Sequence, residues 1–82
     1  MSFLRTLLQP DYEESPERAL VGNAANILQI GEFQLLQLAY FEWFEQEMPE
    51  ATTHRVFQAY MVKSDVPPWA RKFARKVVDA DA

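Results

Sequence analysis

Apolar side chains recur along this chain at intervals of three and four residues, and proline or glycine separates one run from the next. That spacing places apolar residues on one side of an α-helix, whereas no stretch shows the alternation typical of a β-strand. The pattern predicts four main helices and a short N-terminal one, at about 16–29, 32–48, 50–63, 67–78 and 3–9. We therefore expect an all-α fold, a small orthogonal or up-down bundle that forms a single helical domain over residues 1–82.

The predicted boundaries rest on caps, prolines and charge. Residues 15–17, Ser-Pro-Glu, have the order of a helix start: a hydroxyl cap, a proline in the first position and an acidic side chain in the first turn. Gly31 is expected to end the first main helix in the left-handed conformation, and Pro49 is expected to open the third. Residues 79–82 place acids at a helix C-terminus, where the dipole disfavours them, so we expect fraying there.

The predicted helix 32–48 holds five of the eleven aromatic residues of the chain. Leu35, Leu38 and Phe41 lie outside its main apolar stripe, so this helix needs more than one packing partner. The edge that they form is either covered by the segment 3–9 or used for association with another chain. The stripe itself is expected to pack in the core and consists of Phe33, Leu36, Ala39, Tyr40, Trp43 and Phe44.

Two further segments predict how the helices pack. Ala24 and Ala25 form a patch of small side chains on helix 16–29, where another helix can approach closely. The segment 3–9 has one apolar edge, formed by Phe3, Leu4, Leu7 and Leu8. Because so short a helix is not stable alone, we expect it to dock on the domain.

The sequence contains no arrangement typical of a catalytic or metal site. There is one His and no Cys, and two of the three serines are accounted for as helix caps, so no nucleophile–base pair is visible. Glu50 and His54 have a spacing that suits two metal ligands, but two ligands do not make a site. We therefore predict no enzymatic activity, no metal and no cofactor. A third alternative is a bundle that binds a small apolar ligand between its aromatic helices.

Charge is distributed unevenly along the chain. Residues 1–50 carry nine acidic and two basic side chains, whereas residues 51–82 carry three acidic and six basic ones, for a net charge of −4. Four of the basic residues lie on helix 67–78, namely Arg71, Lys72, Arg75 and Lys76. A basic helix after a short connector also suits a helix-turn-helix regulator that binds nucleic acid. The net negative charge, and Trp69 near the start of that helix, argue against this alternative.

The N-terminal segment lacks the composition of a secretory signal, because Arg5 and Thr6 interrupt its short apolar run. No run of about 18 apolar residues predicts a membrane span. The absence of cysteine fits a reducing compartment. We therefore expect the protein in the cytoplasm.

The second edge of helix 32–48 and the basic last helix favour protein binding over catalysis. We predict a small non-catalytic helical protein-interaction or adaptor module, with self-association as a homodimer as one form of it. In this interpretation Leu35, Leu38 and Phe41 are the apolar anchors, and the four basic residues of helix 67–78 steer a charged partner. The alternative is the helix-turn-helix regulator.

Overall fold

The computed structural model describes residues 15–81, which fold into four α-helices joined by short connections. They are α1 (Pro16–Leu28), α2 (Glu32–Phe44), α3 (Glu50–Lys63) and α4 (Pro68–Asp81). No β-strand occurs within these residues, so the prediction of an all-α helical bundle is confirmed. The predicted helix 3–9 lies outside the described residues.

The starts of the helices follow the local sequence. The Ser15 hydroxyl accepts the backbone N–H of Arg18 at 3.2 Å, and Pro16 occupies the first position of α1. This serine cap satisfies a donor that the helix itself leaves without a partner. Pro49 precedes α3 as its cap, with an extended backbone, and does not open the helix as predicted.

The end of α1 differs from the prediction. The left-handed residue is Gln29, with φ of 60°, and its N–H bonds to the carbonyls of Ala25 and Asn26. Because the chain changes direction at Gln29, Ile30 packs against the core. Gly31 therefore has no left-handed role and is instead the cap of α2, where its N–H donates to Gln34 Oε1 at 2.7 Å.

The C-terminal ends of α2 and α4 also differ from the prediction. α2 ends at Phe44, four residues before the predicted end, and Glu45 adopts a left-handed conformation with φ of 58°. Two of the three residues that follow Phe44 are acidic, Glu45 and Glu47, and negative charge is unfavourable at a helix C-terminus. α4 instead continues through Asp81, so the predicted fraying is not seen at residues 79–81. Val77 and Val78 pack against the core and hold its last turns in place.

The core lies between α1, α2 and α4, and the most extensive contact joins α1 to α4. Small side chains dominate that contact, since Ala24, Ala70 and Ala74 are fully buried and Ala25 nearly so. Without long side chains between them, the helix backbones can approach closely. The small-residue patch predicted at Ala24 and Ala25 is thus confirmed as a buried packing surface.

α3 is held mainly through a few large side chains. Tyr60 is buried, and Phe57 stacks on Phe33 of α2 with ring centroids 4.5 Å apart. Phe33 also meets the edge of the Tyr60 ring at 6.2 Å. On the outward side of α3, Met61 and Val62 are exposed. α3 is therefore the helix with the least contact to the rest of the bundle.

The packing of α2 corrects two predictions. Leu36, Ala39 and Tyr40 of the predicted core stripe are buried, but Phe33, Trp43 and Phe44 are exposed. Leu35, which was predicted to lie on the free edge, is fully buried. The buried face of α2 is thus rotated toward Leu35, because α1 and α4 both pack on the side where residues 35 and 39 lie.

Candidate functional site

The outward side of α2 carries the clearest candidate surface of the described residues. Leu38 and Phe41 are 42% and 51% exposed and lie one turn apart. Gln34 and Gln37 flank them at helical spacing, and all four line a shallow cavity of about 450 Å³ together with Glu47 and Met48. We call the surface formed by Gln34, Gln37, Leu38 and Phe41 the outer α2 face.

The four residues of the outer α2 face are uncharged, two apolar and two with amide side chains, and Glu47 is the one acid in the lining of the cavity. Between Glu32 and Glu42 the helix contains no acidic or basic residue. Exposed helix surfaces normally carry charged side chains, whereas the cores of protein–protein interfaces are depleted of charge and enriched in aromatic residues. The composition of this face is therefore typical of a surface that another polypeptide covers.

Two of the three predicted apolar anchors belong to this face. Leu38 and Phe41 lie on it, whereas Leu35 is buried in the core. Residues 35 and 38 are three positions apart, so they are rotated by about 60° from each other on the helix. That rotation is enough to place Leu35 in the core and to leave Leu38 partly exposed. Leu35 is therefore not available as a binding residue.

The four basic residues predicted as partner-binding share one side of α4. Arg71 donates to Glu17 of α1 at 3.1 Å, and the Lys72 ammonium lies 5.4 Å from the centre of the Trp43 ring. Arg75 and Lys76 are exposed and form no ion pair with residues 15–81. We call these four residues the basic stripe. Arg71 and Lys72 are thus engaged with α1 and α2 respectively, and among the described residues Arg75 and Lys76 have no acidic partner to reduce their long-range attraction.

The start of α4 is occupied by aromatic packing. The Trp69 ring meets Tyr40 edge-on, with centroids 5.3 Å apart, and lies 6.2 Å from Phe44. A recognition helix reads bases with its N-terminal residues. The first turn of α4 instead packs against α2 through Trp69.

A second candidate site involves residues that the sequence gave no reason to connect. Tyr60 of α3 donates its hydroxyl to the Glu32 carboxylate of α2. The Arg18 guanidinium of α1 lies 4.6 Å from the centre of the Tyr60 ring and donates to Ser64 Oγ at 3.2 Å. Burial, reinforced by the neighbouring Glu32 carboxylate, raises the pKa of the Tyr60 phenol well above its ordinary value, and Arg18 acts in the opposite direction.

Arg18, Glu32 and Ser64 border an open cleft of about 500 Å³ between α1, the start of α2 and the end of α3, with the buried Tyr60 ring behind them. Ser15, Ala19, Gly22 and Asn23 complete its lining. The contributing residues are far apart in sequence, and the Arg18–Ser64 hydrogen bond alone joins residues 46 positions apart. No local motif could have predicted the cleft, because each residue is ordinary within its own helix.

Within residues 15–81 no three His, Cys, Asp or Glu side chains come together as metal ligands. No helix in this range combines the length and the apolar composition that a membrane crossing requires.

Comparison of the chain with protein-family models, curated proteins and solved structures gave no match. Its function is therefore argued from its own residues.

Proposed function

We propose that this chain is a small non-catalytic protein-interaction module that acts in the cytoplasm and binds its partner through the outer α2 face. The observation that supports this most directly is the exposure of Leu38 and Phe41 on a helix side with no charged residue. Burying a fully exposed side chain of this kind contributes about 1.5–3 kcal/mol, and since Leu38 and Phe41 are already about half buried, covering each contributes about half of that.

A second copy of the chain is the simplest partner. In a two-fold dimer each surface meets itself, so a charged residue near the axis would face its own like charge. The outer α2 face has none, and its two glutamines can donate and accept hydrogen bonds with the same residues of another copy. The basic stripe would favour the approach of the acidic region around Glu42 and Glu45.

The proposal is tested by charge substitution on the face. We expect Leu38→Glu and Phe41→Glu each to weaken self-association at least about tenfold, since a carboxylate would be buried without a partner. The matched control is Val62→Glu, which changes the most exposed large apolar residue of α3, at 71% exposure, away from the face. Sedimentation velocity over a concentration series, with circular dichroism to check folding, measures the effect.

The outcomes separate the occupants of the face. Equal self-association of all three variants and the natural chain would contradict the proposed face. If the natural chain is a monomer, and only the two α2 variants lose thermal stability, then the segment 3–9 or another part of the same chain covers the face. A monomer in which those two variants alone lose a partner captured from cell extract supports a module that binds a different protein.

Nucleic-acid binding is the second candidate that the basic stripe allows. Binding to phosphates would weaken steeply with salt, because each contact releases counterions. A gel shift at low salt with duplex and single-stranded probes tests it. Binding that is lost in Arg75→Gln and Lys76→Gln but kept in Leu38→Glu would favour the regulator over the interaction module.

A further inference from the structure

The cleft between α1, α2 and α3 presents opposite charges that do not neutralise each other. Arg18 and Glu32 both line it, yet the one ion pair among residues 15–81 joins Arg71 to Glu17. The Tyr60 ring separates the two groups, with the guanidinium over its face and the carboxylate at its hydroxyl. A cation and an anion are thus held apart on the wall of one cavity.

Each of these groups has hydrogen-bonding capacity left over. Of the five guanidinium donors of Arg18, one reaches Ser64. Glu32 accepts from Tyr60 with Oε1, which leaves Oε2 without a partner among the described side chains. Because Arg18 and Glu32 both line the cleft, their remaining donors and the second carboxylate oxygen are within reach of a molecule bound there.

Gly22 keeps the space beside Glu32 open. A Cβ at this position would lie 3.6 Å from Glu32 Oε2, so any larger side chain would extend over the carboxylate. Ala19 lies on the same helix and adds a small apolar wall. The cleft therefore combines a cation, an anion, two serine hydroxyls and the Asn23 amide with a small apolar wall, a mainly polar lining that suits a small charged molecule.

From this arrangement we infer that the cleft binds a small zwitterion, with its acidic group on Arg18 and Ser64 and its ammonium group on Glu32 Oε2. A free α-amino acid is the source with this chemistry that fits best, since its side chain can lie over Ala19 and Gly22. Hydrogen bonds between charged partners are stronger than neutral ones, so both ends contribute to affinity. This site is independent of the outer α2 face.

The test compares a zwitterionic ligand with two analogues, each of which lacks one of its two charged groups. We expect L-leucine to bind saturably in an amide NMR titration of the full chain, with shifts at Arg18, Gly22 and Ser64. Isocaproate lacks the ammonium group and isoamylamine lacks the carboxylate, so each is expected to bind at least about tenfold more weakly. Glycerophosphoethanolamine carries the single negative and single positive charge of a lipid headgroup, and tighter binding of it would assign the cleft to headgroups within the same class.

Charge-neutral variants complete the test. Glu32→Gln keeps an acceptor for Tyr60 but removes the negative charge, and Arg18→Gln removes the positive one, so each should weaken L-leucine binding about tenfold. Glu50→Gln is the matched control, because Glu50 opens α3 as Glu32 opens α2 but lies outside the cleft. Equal binding of leucine and the two analogues, shifts elsewhere in the chain, or unchanged affinity in a folded Glu32→Gln variant would overturn the inference.

Discussion

At the scale of single residues, Tyr60 connects three helices through one side chain. Its hydroxyl donates to Glu32 of α2, its ring lies under Arg18 of α1, and its edge meets Phe33. α3 contributes little other buried surface, with Tyr60 the one fully buried residue in it. The position of α3 therefore depends strongly on this residue.

Removing the Tyr60 hydroxyl should lower stability. We expect Tyr60→Phe to reduce the free energy of unfolding by about 1 kcal/mol at neutral pH, because one hydrogen bond to a carboxylate is lost. Urea unfolding followed by circular dichroism measures it. Tyr40→Phe is the control, since that hydroxyl has no hydrogen-bond partner within residues 15–81. A larger loss in the control would contradict the role given to Tyr60.

The same residue predicts an alkaline limit to stability. Its pKa is raised in the folded chain above the ordinary 10.0, so folding favours the protonated phenol. This contribution is fully present below pH 10 and is lost as the pH rises from there toward the raised pKa. The free energy of unfolding should fall above pH 10 by up to about 1.4 kcal/mol per pH unit from this group. Tyr60→Phe should show a shallower slope in the same measurement.

Replacement by alanine is expected to change stability differently at the two glycines. Gly22 lies inside α1 without positive φ, and an added Cβ would make only ordinary contact. Gly22→Ala should therefore stabilise the protein by about 0.5–1 kcal/mol through helix propensity. Gly31 caps α2, where alanine is less favourable than glycine, so Gly31→Ala should give no gain. Thermal unfolding of both variants tests these two predictions. Equal shifts of the melting temperature would contradict them.

At the scale of helices, the contact between α1 and α4 depends on small side chains. Ala74 is fully buried, and Ala80 on the same helix is exposed. Ala74→Leu should destabilise the chain by about 1–3 kcal/mol, because the added volume pushes the helices apart. Ala80→Leu should change stability by less than about 0.5 kcal/mol. Comparable losses in chemical unfolding would show that the helices do not approach closely there.

α2 shows how far local sequence predicts an element. Its existence and its start at Glu32 could be predicted, because its apolar spacing and the preceding glycine are local features. Its end at Phe44 and its buried face could not, because they depend on where α1 and α4 press against it. Leu35 and Leu38 differ little in local sequence, yet one is fully buried and the other is 42% exposed.

At the scale of the whole molecule, the outer α2 face and the basic stripe have different expected roles. The face lies opposite the helices that pack on α2 and would contribute affinity. The basic stripe lies on α4, with Arg75 and Lys76 exposed, and would contribute to the rate of encounter. Mutations at the two places should therefore change different measured quantities.

The dependence of the association rate on salt should distinguish the role of the basic stripe from that of the outer α2 face. We expect the combined change Arg75→Gln and Lys76→Gln to lower the association rate and to reduce its dependence on ionic strength, with little change in dissociation rate. Arg55→Gln with Lys63→Gln on α3 removes the same net charge from two other exposed residues. Stopped-flow mixing at low and high salt measures both pairs. An identical response would mean that net charge alone, and not the stripe, drives the encounter.

The sequence by itself determined the helical class, the approximate positions of the four main helices, the small-residue patch on α1 and the excess of apolar surface on α2. These properties depend on residues within a few positions of one another, so periodicity and capping reveal them. Only the tertiary structure decided which side of α2 the other described helices leave uncovered, that Leu35 belongs to the core, and that Arg18 and Glu32 meet at the Tyr60 ring beside one cleft. The physical reason is that the packing of distant helices sets burial and contact, and no single helix carries that information.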